Sequence, residues 1–158
     1  MSDPLRIALV AEGVTEREVI EAALTAILSP RRFVLTQLQP EATKPEMGMG
    51  WGGVLKWCRQ LAARAQLGGG AVESDATLSL FDGVVLHLDA DVATFAYGNL
   101  GASAHDDAQA LGWRALPCAT PCPPAPIPVD ALFSVLLSWL IPLAPGPRTV
   151  VCIPAMNT

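Results

Sequence analysis

Ile7-Ala8-Leu9-Val10-Ala11-Glu12-Gly13-Val14-Thr15-Glu16 is the stretch on which the fold turns. Its first half is short, apolar and without alternation, as in a strand covered on both faces. Its second half opens a helical pattern. Thr15 to Leu28 places Val19, Ile20, Ala23, Leu24 and Ile27 on one face, and Thr15 with Glu18 fits a capping box. Glu12 therefore stands at the carboxyl end of a first strand, where open α/β sheets hold their ligands. A second acidic group, His87-Leu88-Asp89-Ala90-Asp91, ends another apolar run far downstream.

Outward from this stretch, Ser29-Pro30 stops the helix and Phe33 to Leu38 reads as a second strand. Gln39 to Gly53 carries Pro40, Pro45 and four glycines, which predicts a mobile surface loop. A helix is expected from about Gly53 to Leu67, with Leu55, Cys58, Leu61 or Ala62, and Ala65 inward, and with Lys56, Arg59 and Arg64 outward. Phe81 to Asp89 returns to strand character. Ser103 to Leu111 reads as a short helix capped by Ser103, and Trp113 to Leu116 as a short strand. Pro117 to Pro128, with six prolines, reads as an extended crossing. Asp130 is placed to cap the helix Ala131 to Leu140, and Arg148 to Ile153 makes a last strand. Strands alternating with helices predict one α/β domain with a mostly parallel central sheet and helices on both faces, of Rossmann-like topology. The last strand has no helix after it to cover it. Either that face is open or, as we expect, the chain is the front part of a longer protein, truncated at its carboxyl end.

The 158 residues suffice for a single core, and 51% of them are apolar. No apolar run is long enough to span a bilayer, and Met1 to Arg6 has no signal-type character, so a cytoplasmic protein with no membrane partner is expected. Its four cysteines then read as reduced thiols. Cys118 and Cys122 lack a second ligand pair, which argues against zinc. The net charge of -5 opposes a simple nucleic-acid binder. A divalent ion between carboxylates would supply positive charge locally.

Residues two apart in a strand face the same way, so His87, Asp89 and Asp91 are expected on one side where that strand runs out. Magnesium suits such acids, because it takes oxygen ligands and keeps waters for a phosphate. If the strands of Ile7 and Val84 are neighbours, Glu12 joins the pair. Three close carboxylates repel, so the cluster is stable with a metal or with one acid protonated. Glu16 reads as compensation of the helix dipole rather than as a ligand, and His87 as a satisfied core histidine. Lys44, Lys56 and Arg59 are candidates to face a phosphate backbone. Gly48, Gly50 and Gly53 lie too far from the previous strand to make a dinucleotide loop.

These residues resemble the Toprim domain of topoisomerases, bacterial primases and OLD-type nucleases. Leu9 to Glu16 is similar to that family's strand, Glu-Gly-x-Thr/Ser and acid. Leu88-Asp89-Ala90-Asp91 is similar to its Asp-x-Asp strand end. The chain looks most like small stand-alone prokaryotic Toprim-like proteins, some of them tied to defence against mobile DNA. Their late strand leads to Pro-x-x-x-Thr, matched here by Pro154 to Thr158, and then to a glutamate. The resemblance implies Glu12 as general acid/base, Asp89 and Asp91 as ligands of magnesium or manganese, Gly13 and Glu16 in supporting places, and phosphodiester cleavage of a nucleic acid. Two other readings stay open. One is a non-catalytic Toprim-like protein that binds partner proteins or a second copy of itself. The other follows from the likeness of Asp89-Ala90-Asp91 to the Asp-x-Asp of nucleotide-sugar glycosyltransferases, which bind manganese.

Overall fold

The computed structural model describes residues 2–65, 68–118 and 127–154. Strand β1 (Leu5–Val10) leads to helix α1 (Thr15–Leu28), then β2 (Phe33–Gln39), α2 (Gly50–Arg64), β3 (Gly70–Ala71), β4 (Gly83–His87), α3 (Ala102–Leu111), α4 (Ile127–Leu140), β5 (Leu143–Ala144) and β6 (Thr149–Cys152). The main sheet has the order β2-β1-β4-β6, and all its pairs are parallel. β3 and β5 form a separate two-stranded parallel pair. The predicted fold class is what is found.

β1 is flanked by β2 and β4, which is why its residues are apolar without alternation. Ala8 and Val10 point into a core shared with Val84, Leu86 and Leu88, and α2 and α4 cover that face. Ile7, Leu9 and Ala11 point the other way, into a smaller core with Leu35, Val85 and Ile20 of α1. In α4, Leu132, Val135, Leu136, Trp139 and Leu140 are all buried, at the spacing of one helix face. Trp139 stacks on Trp51 at 6.3 Å, and its Nε1–H donates to the Tyr97 hydroxyl at 2.9 Å.

Several expectations need correcting. α1 has no capping box. Val14 is its N-cap with no side-chain bond, and Thr15 is already helical. Ile20 alone of the expected face is buried, while Val19 and Ile27 are 64% and 75% exposed. The helix instead leans on the sheet through Ile20, Leu24 and Leu28, a narrower stripe of residues four apart. α2 starts at Gly50, because Trp51, Val54, Leu55 and Cys58 form one apolar face that outweighs the glycines of its first turn.

The Gln39–Gly53 connection is not a free loop, since Met47 is buried in it. The buried Gln39 side chain donates to the Gly48 carbonyl at 2.8 Å. It also fills the space a Cβ would take at Gly53, so this glycine answers to packing. Trp113 to Leu116 is not a strand. The Trp113 amide donates back to the Ala108 carbonyl, the Arg114 amide donates to Ser138 Oγ and the Tyr97 hydroxyl donates to the Arg114 carbonyl. α3 begins at Ala102 with Gly101 as N-cap, so Ser103 is not its cap. Asp130 likewise lies inside the first turn of α4.

Cys58 and Cys152 are free thiols, whereas Cys118 is disulfide-bonded, which overturns the reduced state expected for it. Cys122, most of the proline-rich crossing, the end of the helix expected to reach Leu67, and the Pro-x-x-x-Thr ending fall outside the described residues. Among the described residues no helix is long and apolar enough to cross a membrane.

Candidate metal centre

β1 and β4 lie side by side, with Val10 opposite Leu86. The chain then leaves both strands at the same rim. β1 turns through Glu12 and Gly13 into α1, and β4 passes through Asp89 into a 3-10 turn, Ala90–Thr94. That turn is fixed by its apolar residues, since Val92 and Ala93 are buried and α4 packs against it. Asp91 sits in the turn rather than in the strand, so strand alternation does not bring it to Asp89. The helical turn does, anchored by the two buried side chains that follow.

Glu12, Asp89 and Asp91 each offer a carboxylate oxygen, and these oxygens lie within 4.8 Å of one another. Oxygens on one magnesium ion, at about 2.1 Å from it, span up to about 4.2 Å, so a side-chain adjustment would be needed for the three to share one ion. Glu12 is tied to the other motif directly: its Oε1 accepts the Asp89 amide at 2.8 Å. Its own carbonyl accepts the Gly50 amide at 2.7 Å, which joins the start of α2 to the same rim.

The electrostatics are those of a site short of positive charge. The Glu12 pKa is pushed up to about 7, first by burial and then by the charges of Asp89, Asp91 and Glu16, against the Asp89 amide bond that lowers it. The Asp89 pKa is raised by burial, opposed by His87 and pushed further by Glu16 and Asp91. The His87 pKa is lowered because burial outweighs the attraction of Asp89 and Glu16. Three hard oxygen donors with no lysine or arginine among them fit a magnesium-like ion, which would relieve their mutual repulsion.

Glu16 stands closer to this chemistry than dipole compensation suggests. It acts on Glu12, His87 and Asp89, and its Oε2 is buried without a hydrogen-bond partner. Gly13 makes room for it, because a Cβ at that position would lie 2.8 Å from Glu16 Oε2. The clue in the sequence is the glycine between two glutamates four apart. Gly13→Ala is expected to push the Glu16 carboxylate aside and to cost less than about 0.5 kcal/mol, because the displaced atom ends a flexible side chain. With one repelling charge withdrawn, the Glu12 pKa falls. Thermal unfolding and an NMR titration of Glu12 check both parts, and an unmoved Glu12 pKa would remove Glu16 from the site.

The candidate phosphate-binding cations have other attachments. Lys44 pairs with Glu41 at 3.1 Å, and Lys56 Nζ reaches the Glu46 carbonyl at 3.4 Å. Arg59 donates to the Trp139 and Ile141 carbonyls and lies over the Trp113 ring, so it fastens the end of α4. Lys56 and Arg59 also line a cavity of about 430 Å³ between α2 and α3, with Met49, Leu100 and Leu111 among its walls. His87 is buried as expected but is not satisfied: its Nδ1 has no partner. Compared with known proteins, the chain matches no family model, no curated protein and no solved structure.

Proposed function

We propose that the chain is a metal-dependent phosphodiesterase of the nuclease type, with Asp89 and Asp91 as the ligands of one magnesium or manganese ion. The observation that carries this reading is the meeting of Glu12 with Asp89 and Asp91 at one rim, although Glu12 and Asp89 are 77 residues apart. Holding like charges together, two of them partly buried, is costly for structure alone. When bound, the ion would polarise a phosphoryl oxygen and lower the pKa of its water. Glu12, with a pKa near 7, is suited to take or give a proton at neutral pH. The Toprim resemblance and a cytoplasmic setting on nucleic acid go with this reading. The net charge of -5 makes the ion the main source of attraction for phosphate.

The test is nicking of supercoiled plasmid, together with thermal unfolding, with and without manganese. Ion-dependent nicking is expected in the native sequence and its loss in Asp89→Asn. A saturating ion at about 100 times its Kd raises stability by about 2.7 kcal/mol. One feature favours the non-catalytic reading instead: Val14, Val19 and Ile27 leave α1 with apolar groups in water, as a partner-binding surface would. Unfolding temperatures that ignore manganese, with no turnover, would decide for it. The nucleotide-sugar reading gives Glu12 no part, and nothing at the rim favours it.

A further inference from the structure

His87 is buried at the rim without the partners that burial of an imidazole calls for. It is 3% exposed, its Nδ1 is shut away from solvent with no partner, and its Nε2 lies 3.8 Å from Asp89 Oδ1. A leucine or valine in this strand would fill the space without leaving a polar atom orphaned. The orphan favours one tautomer. A buried N–H without an acceptor costs more than a bare ring nitrogen, so the neutral ring is expected to leave Nδ1 bare and to carry its hydrogen on Nε2, on the side of Asp89.

Asp89 needs such a partner. Its backbone amide is taken by Glu12, its neighbours in the cluster are acids, and only one of its oxygens is required for an ion. We propose that His87 is the positioning residue of the acidic centre: its Nε2–H donates to Asp89 Oδ1 and turns that carboxylate toward Glu12 and Asp91. At 3.8 Å the pair stands just beyond hydrogen-bond length, and the proposal requires Asp89 Oδ1 to close that gap when an ion is held. The inference rests on the metal-site reading given above and adds to it a residue that ligates nothing.

Two measurements test it. Long-range proton–nitrogen NMR of the ion-free native protein at pH 7.5 reads the ring directly, with the Nε2–H form expected; an Nδ1–H form overturns the proposal without any variant. Manganese affinity is then followed by the electron paramagnetic resonance of the free ion in the native sequence, His87→Gln and His87→Leu. Gln keeps a donor near Nε2 and is expected within about threefold of native. Leu keeps the volume and loses the donor, and should weaken binding by about 10- to 100-fold, the range for lost outer partners of metal ligands. Equal affinity in His87→Leu makes the histidine mere filling. A His87→Gln variant as weak as Leu makes the imidazole itself the requirement, and either result sinks the proposal. Native protein that takes up no manganese sinks the metal-site reading as well, so the two failures are told apart.

Discussion

Glu12→Gln is expected to stabilise the ion-free protein at pH 8 by about 1–2 kcal/mol while lowering cleavage by about 10²- to 10⁴-fold. The stability gain follows from the sign of the Glu12 shift. The folded chain holds this carboxyl at about 7 against an ordinary 4.5, so it prefers the neutral form. That preference contributes fully below pH 4.5 and is lost as pH rises through about 7. Gln has the neutral form at every pH and keeps an Oε1 to accept the Asp89 amide. The difference between variant and native is therefore near zero at pH 4.5 and grows towards pH 8. A group wholly out of water would give about 3 kcal/mol for such a shift, and solvent access to the rim reduces it to the smaller figure. Urea unfolding at pH 4.5, 6 and 8 in a chelator checks it, and a pH-independent difference would show that burial and like charge are not what the glutamate feels. Adding manganese should reverse the order, because the native sequence then gains binding energy that the variant forgoes. A residue that costs stability where it is used in chemistry is the usual mark of a site under functional demand.

The parts of the fold that follow from local pattern are legible in the chain itself. Ile7 to Ala11 has to be a doubly covered strand, and its place between β2 and β4 explains the lack of alternation. The adjacency of β1 and β4, which joins the two acidic groups, is only a condition at the level of sequence, since no local pattern fixes strand order. The buried face of α1 is ambiguous in the same way. Five apolar residues compete for it, of which Ile20 and Leu24 pack against the sheet, joined there by Leu28 from the helix end. Strand alternation is the wrong rule for Asp91, because the burial of Val92 and Ala93 bends the chain into a helical turn first. Dipole compensation and core filling are the commonest roles of residues placed like Glu16 and His87. What distinguishes these two is a missing partner on one buried atom of each, and partners are a property of tertiary packing. Glu73 is illegible for the same reason: an acid between a strand and a loop carries no pattern until its donors arrive from far along the chain.

Those donors make Glu73→Ala the most destabilising change we expect, at about 3 kcal/mol or more. Glu73 is 3% exposed, in the turn Val72–Ser74. Its carboxylate accepts the Gly146 amide at 3.0 Å, the Arg148 amide at 2.9 Å and the Thr149 hydroxyl. Gly146 has to be glycine here, because a Cβ would run into that carboxylate. Removing the acceptor leaves three donors at the entrance to β6 without partners, the Thr149 hydroxyl buried and worth about 1–3 kcal/mol, the two part-buried amides towards the lower end of that range. For a chain of this size that lowers the unfolding temperature by roughly 6–12 °C. Glu73→Gln is no conservative escape, since its NH₂ group would face a donor, and a loss of about 2 kcal/mol is expected. Burial alone would raise the Glu73 pKa; the bonds from Thr149, Arg148 and Gly146 overcome it and hold the carboxyl below its ordinary value. Its contribution is accordingly present above pH 4.5 and lost as pH falls through the lowered value, opposite in sign to that of Glu12. The alanine variant should therefore flatten the acid limb of the stability profile, whereas Glu12→Gln flattens the limb between pH 4.5 and 8. Thr149 pairs with Val84 of β4, while the acids stand between β4 and β1 on its other side. Folded Glu73→Ala protein at low temperature should then keep its manganese affinity within about threefold, because no ligand partner is removed. An unfolding temperature unchanged by Glu73→Ala would mean that the three donors find other acceptors, and the pin at the start of β6 would have to be sought elsewhere.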